Sequence, residues 1–262
     1  MNIKDYFRKQ TALYLYQVVL YSLMAAFVFL IDYHFHIPGT IFLILIVILN
    51  AVLFGSVIKY IYYASRLSST KPFPMDETAA ARIQEDVGDR REYLLIKDPS
   101  PGFSLKFFSY MGLCEFEIKD NFPGWWNWLT PASFKEWKTN SFIVKKRDGQ
   151  AVGEIKLNPN TYRLSVVFGE NSFSLKYLRN NRKAAVFECG NDVVEIQKQG
   201  NGQSFVINNR KVAELSKGYM PLSIQKLFPV NTPILSFNEK TSEKEQWLVV
   251  SLLICLWFNR DR

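Results

Sequence analysis

The chain has 262 residues with 32 Lys and Arg against 24 Asp and Glu, a formal net charge of +8, and 15% aromatic residues. That aromatic content excludes a disordered polypeptide, the length suits one sizeable domain with an appendage, and the basic balance favours anionic partners such as phospholipid surfaces or nucleic acid. Cys114, Cys189 and Cys255 are odd in number and widely spaced, which excludes a C-x-x-C zinc site and a disulfide framework and suits a reducing compartment for the soluble part.

From Thr11 to Ile31 the sequence carries no charge and only isolated polar residues, which is long enough to cross a bilayer as a helix. A second apolar run, 37–58, follows after the connector Asp32–His36, so the two spans form an antiparallel hairpin rather than a cleaved signal peptide. Lys4, Arg8 and Lys9 flank the first span and Lys59, Arg66 and Lys71 the second, while the connector has no Lys or Arg. The positive-inside rule therefore predicts a multi-pass protein of the cell membrane with both termini in the cytoplasm. Gln17 and Asn50 are polar groups within the spans, available to bond across the hairpin or to a partner helix. His34 and His36 are the only histidines, and two in a tight connector with no third ligand but Asp32 do not specify a metal site.

Composition shifts over 65–91, where Ser68-Ser69-Thr70, Pro72 and Pro74 mark a linker and 76–87 reads as a short helix. From Glu92 onward the period changes to two. Strands are expected at about 92–97, 104–110, 112–118, 141–146, 152–157, 162–168, 172–178, 184–189, 192–198, 203–207, 211–216 and 233–238. Short joints such as Asp148-Gly149, Gly190-Asn191 and Asn208-Asn209 make these an antiparallel meander, which closes to remove its edges. Between 120 and 140 the pattern is interrupted by a segment holding Trp125, Trp126, Trp128 and Trp137, suited to a membrane interface or partner contact, or to a lid packed over the barrel mouth.

The last apolar run, Trp247 to Phe258, is interrupted only by Ser251. Ser242 and Glu245 have capping-box spacing, so a helix is expected over 242–258. It is apolar all round and too short to span a bilayer, and a wide barrel needs a filled lumen. The fold class expected is thus β-rich (α+β): two transmembrane helices (1–64), a linker (65–91), and a closed barrel of about twelve antiparallel strands around a buried C-terminal helix (92–262).

The layout, and the local phrasing FIVKKRDGQAVGEIK (142–156), FVINNRKVAEL (205–215) and EQWLVVSLLICL (245–256), resembles the tubby C-terminal-like superfamily, which includes LURP-one-related and phospholipid-scramblase-like proteins. The resemblance covers about 92–262 and implies a barrel closed around its terminal helix. In several branches it also implies association with membranes or anionic headgroups rather than catalysis. The Lys and Arg pair with which tubby proteins hold phosphoinositide is not carried over to any position of this chain, and the acidic loop proposed for calcium in scramblases is missing.

Residues 64–262 contain no histidine, and the chain has no Walker A or G-x-G-x-x-G pattern, so catalysis and cofactors are not expected. The same residues hold 28 basic and 22 acidic side chains, a net +6. Lys145, Lys146 and Arg147, then Arg179, Arg182 and Lys183, then Arg210 and Lys211 fall at strand ends and turns, where they either converge on one rim as a site for anionic phospholipid or stand as solvated turn residues. The reading is a membrane-anchored binding module acting as a lipid sensor or scaffold, with no nucleic-acid partner expected. The alternatives are a subunit of a membrane protein complex, using the hairpin and the Trp-rich segment as its interface, and a scramblase-like transporter.

Overall fold

The computed structural model describes residues 1–70, 91–98, 103–121, 141–158, 163–169, 171–180, 184–200, 202–217, 220, 222–225 and 227–258. The expected helix at 76–87, the four tryptophans of the 120–140 segment, Arg182 and Lys183 lie outside the described residues. The chain divides into two compact units, Met1–Pro74 and Met75–Arg262.

The first unit is an antiparallel helical pair, α1 (Ile3–Phe35) and α2 (Gly39–Ser69), both long and apolar enough to cross a membrane. Both helices run past the apolar spans read from the sequence, α2 only at its C-terminal end, and the ends of α1 are separately stabilised. Asn2 and Asp5 form a reciprocal capping box, the Asp5 amide donating to Asn2 Oδ1 at 2.8 Å and the Asn2 amide to Asp5 Oδ2 at 3.2 Å. At the other end of α1 His36 turns left-handed (φ 47°) and donates its amide to the Asp32 carbonyl, which draws most of the expected connector into the helix. The ends remote from that connector are welded by aromatics, with Tyr14 stacked on Tyr63 at 5.4 Å and Tyr6 and Phe7 packed around the same ring. Asn50 does not reach across the pair. Its amide donates to the Ile46 carbonyl of its own helix at 2.8 Å and it stands on the exposed side of α2.

The second unit is a closed, purely antiparallel barrel of twelve strands joined as a meander. In chain order the first six are β1 (Glu92–Lys97), β2 (Ser104–Phe108), β3 (Cys114–Asp120), β4 (Ser141–Lys146), β5 (Ala151–Asn158) and β6 (Arg163–Phe168). They are followed by β7 (Asn171–Asn180), β8 (Ala184–Cys189), β9 (Asp192–Gln199), β10 (Gly202–Ile207), β11 (Arg210–Lys217) and β12 (Pro233–Phe237). Pairing of β12 with β1, Glu92 opposite Ser236 and Leu94 opposite Ile234, closes the ring. Alternation decides which side chains face inward, as in β6, where Leu164, Val166 and Phe168 are buried between exposed neighbours. The Asn208-Asn209 hairpin holds both residues at positive φ (49° and 63°), the geometry that suits the right-handed twist of a two-residue connection.

The lumen of so wide a barrel is occupied by the terminal helix, α4 (Glu243–Phe258), which follows a four-residue helix, α3 (Leu222–Gln225). Leu248, Val249, Val250, Leu252, Leu253 and Ile254 are each at most 1% exposed, so the middle turns of α4 are enclosed on every side. Ser251 answers the same burial by donating its hydroxyl to the Trp247 carbonyl at 2.7 Å. A second apolar layer lies outside the lumen: Leu94 and Phe108 are wholly buried there, with Met220, Ile224 and Phe228, and Phe228 meets Phe108 edge-on at 5.8 Å. The sequence pattern assigns no element to the stretch from which Met220, Ile224 and Phe228 join this layer.

Among the described glycines, Gly153 has the closest neighbours. A Cβ there would fall 2.4 Å from the Phe168 ring and 2.7 Å from the Val167 carbonyl, and Phe168 in turn stacks on Trp247 at 3.8 Å. Gly153→Ala is therefore expected to cost roughly 1–3 kcal/mol by overpacking, because the ring that must yield is already held on its other face. Lowered thermal stability with weakened near-ultraviolet tryptophan dichroism is the expected observation.

Candidate binding cleft at the helix-entry mouth

Strict alternation of strand direction sorts every connection to one of two mouths. The mouth through which α4 enters carries the β2–β3, β4–β5, β6–β7, β8–β9 and β10–β11 turns. Lys145, Lys146, Arg147, Arg210 and Lys211 consequently share it, whereas Arg179 closes β7 at the opposite mouth. The basic residues thus do not gather on one rim, since an odd number of strands separates Arg179 from each of the other two clusters.

The helix start is pinned on the β9–β11 side. The Ser242 amide donates to Glu245 Oε2 at 2.8 Å and the Glu245 amide to Ser242 Oγ at 3.4 Å, the reciprocal cap expected from the sequence. Arg210 ion-pairs with Glu245 and donates to the Lys240 carbonyl at 3.0 Å, and Lys244 pairs with Asp192 at 3.4 Å. Burial pushes the Glu245 carboxyl up, but hydrogen bonds from Ser242 and Arg210 outweigh it and hold the group below its ordinary value. Lys211 is paired with Glu214 at 2.6 Å. Of these two expected lipid-binding residues, Arg210 is therefore engaged in holding the helix start, and Lys211 is paired within its own strand.

On the other side of the helix start the wall stands away and leaves a cleft of about 640 Å³. Its floor is aromatic and aliphatic, formed by Tyr93 of β1, Phe116 of β3, Phe237 of β12, and Trp247 and Val250 of α4. Phe116 is fixed by stacking on Phe107 at 4.0 Å and meets Tyr93 at 5.3 Å and Trp247 at 5.7 Å, both edge-on. The rim is charged: Glu115, Lys146, Arg147 and Asp148. A β-bulge places Glu115 there. Phe107 opposes Phe116 and Phe108 opposes Cys114, so Glu115 is the extra residue, released from the outward alternation of its strand. The Glu115 carbonyl accepts the Arg147 amide at 3.0 Å, which ties the basic β4–β5 turn to the bulge. Among the described residues none of the four rim side chains makes an ion pair. Tyr93 is raised above the usual phenol value, first by burial and then by the Glu115 carboxylate, so its hydroxyl stays protonated.

Comparison with family models, curated proteins and solved structures returns no match. The chemistry open to the site therefore rests on its own atoms. These supply hydrogen-bond donors, carboxylates and aromatic faces around a cleft within the roughly 300–1,000 Å³ typical of ligand sites. The three thiols are buried, and burial pushes Cys114 to about 11 and Cys255 to about 12, which leaves both as inert thiols near neutral pH. No group of three or more potential metal ligands occurs among the described residues.

Of the expected binding residues, Lys146 and Arg147 reach the cleft, and Lys145 sits half-buried behind them, opposite Glu117 in the β3–β4 register. Sequence reasoning passes over Tyr93, Glu115 and Phe116. The alternation Cys114-Glu-Phe-Glu-Ile118 reads as a regular strand, and nothing in it announces the bulge.

Proposed function

We propose that the protein is a non-catalytic, tubby-like binding module anchored in the cell membrane by its helical pair, with both termini cytoplasmic, and that the cleft at the helix-entry mouth receives phospholipid. The observation that carries this reading is the pair Lys146 and Arg147, exposed and without an ion-pair partner among the described residues, at the edge of an aromatic-floored cleft. Cations so placed attract acidic headgroups at about 1 kcal/mol each near a membrane surface. The net +6 of residues 64–262 draws the unit toward the same surface. The full chain in dodecyl maltoside, titrated with water-soluble dihexanoyl phosphatidylglycerol, is expected to bind at 50 mM salt and to weaken about tenfold or more at 500 mM. Absence of binding at low salt, by this lipid and by dihexanoyl phosphatidylcholine alike, overturns the proposal.

One observation supports a second reading, a subunit of a membrane complex. The Asn50 amide stands exposed on an apolar face of α2, where an adjoining helix from another protein would cover it. Recovery of a stoichiometric membrane partner in detergent favours that reading over the first.

A further inference from the structure

The rim of the cleft carries both signs of charge, and this restricts its ligand further than a basic patch would. A purely anionic group drawn to Lys146 and Arg147 is opposed by Glu115 and Asp148, and a purely cationic one meets the converse. The four charges do not neutralise one another by pairing, although Glu115 and Arg147 are joined through their backbones at 3.0 Å. We infer that the cleft recognises a zwitterionic phosphoester headgroup, a phosphate linked by a short chain to an ammonium group, with Lys146 and Arg147 on the phosphate and Glu115 with the Phe116, Tyr93 and Trp247 rings on the ammonium. This rests on the phospholipid reading above and names the headgroup it selects.

Three features support the assignment. The bulge turns Glu115 toward the aromatic wall instead of leaving it on the outward face of β3, so a carboxylate and π-faces act on one spot. Aromatic faces with an acid beside them attract a weakly hydrated ammonium better than they attract any anion. Finally, Glu115 on β3 and Lys146 and Arg147 at the end of β4 belong to neighbouring paired strands, so the acid and the two cations are side by side on one rim, as a headgroup with a short link between phosphate and ammonium requires. Attraction to an acidic surface and selection of a zwitterionic headgroup are compatible, since the first depends on net charge at a distance and the second on charges in contact.

Calorimetric titration of the full chain in dodecyl maltoside with phosphocholine, phosphoethanolamine, choline and inorganic phosphate tests the assignment. At least one of the two zwitterions is expected to bind about tenfold or more tightly than either choline or phosphate alone. Glu115→Gln is expected to abolish that preference while leaving phosphate binding in place. Arg147→Gln, in an exposed turn, should weaken both zwitterions and phosphate but not choline, and it serves if the bulge variant fails to fold. Inorganic phosphate binding as tightly as the better zwitterion, a folded Glu115→Gln chain that keeps the preference, or no binding of any probe overturns the inference. Dihexanoyl phosphatidylglycerol separates the two levels of failure: if it binds while the zwitterions show no preference, only the headgroup assignment falls, and if it also fails to bind, the phospholipid reading falls with it.

Discussion

Deletion of residues 243–258 is expected to leave a chain whose helical pair survives in detergent but whose barrel has no cooperative melt. Six apolar side chains of α4, from Leu248 to Ile254, are at most 1% exposed, and each contributes roughly 1.5–3 kcal/mol on burial. Even discounted for a compact unfolded state, that is comparable with the whole stability of an ordinary domain, about 5–15 kcal/mol. The loss is larger than the helix itself, because the inward side chains of the wall, Phe142, Ile155, Phe205 and Leu235 among them, would face an empty lumen with nothing to pack against. A point test avoids deletion: Leu253→Asp places a carboxylate in the apolar core and should unfold the barrel, whereas Lys244→Ala at the exposed start should cost little. Near-ultraviolet dichroism and thermal melts of the full chain in detergent provide the measurement. A deletion variant that still melts cooperatively would mean that the wall closes on itself and that α4 is not what holds the barrel together.

The fold is legible in the sequence because its signals are local and repeated. Twelve period-two segments, hairpin residues such as Asn208-Asn209 at their joints, and one all-round apolar helix bounded by Ser242 and Glu245 leave few architectures other than a filled, closed barrel. Where sequence and structure differ, a non-local cause is visible. The third strand starts two residues later than its pattern suggests because the turn after Phe108 is a five-residue connection, in which the Ser109 amide donates to the Leu113 carbonyl, and apolar residues within it mimic a strand start. The helices of the first unit outrun their apolar spans because hydropathy marks only the membrane-compatible stretch, whereas capping at Asn2 and the left-handed turn at His36 set the ends of α1. The cleft is the least legible part. Its location depends on strand parity, which sends Arg179 to the far mouth, and on a bulge that alters the facing of Glu115 without altering the pattern of residue types. Arg210 shows the same limit: as a strand-end cation it reads like Arg147, and only the chain's return at Glu245 reveals it as a structural partner.

That difference between Arg147 and Arg210 yields the most direct functional prediction. The double charge reversal Lys146→Glu, Arg147→Glu is expected to weaken binding of dihexanoyl phosphatidylglycerol by about three orders of magnitude at low salt, since each cation is worth about 1 kcal/mol near anionic lipid and reversal roughly doubles the loss. Both residues are exposed where β4 enters its turn and neither has an ion pair among the described residues, so the melting temperature should barely move. Arg210→Ala should do the opposite. It removes the partner of Glu245 and the donor to the Lys240 carbonyl, loosening the entry of α4, and should lower stability while leaving lipid affinity nearly intact. High salt should shrink the binding defect of the double variant, because the long-range part of the attraction is screened within about 8 Å at physiological ionic strength. Equal losses of affinity in the two variants would show that the whole basic mouth acts as a diffuse field and that the cleft selects nothing; a defect confined to Lys146 and Arg147 places the ligand in the cleft beside Trp247.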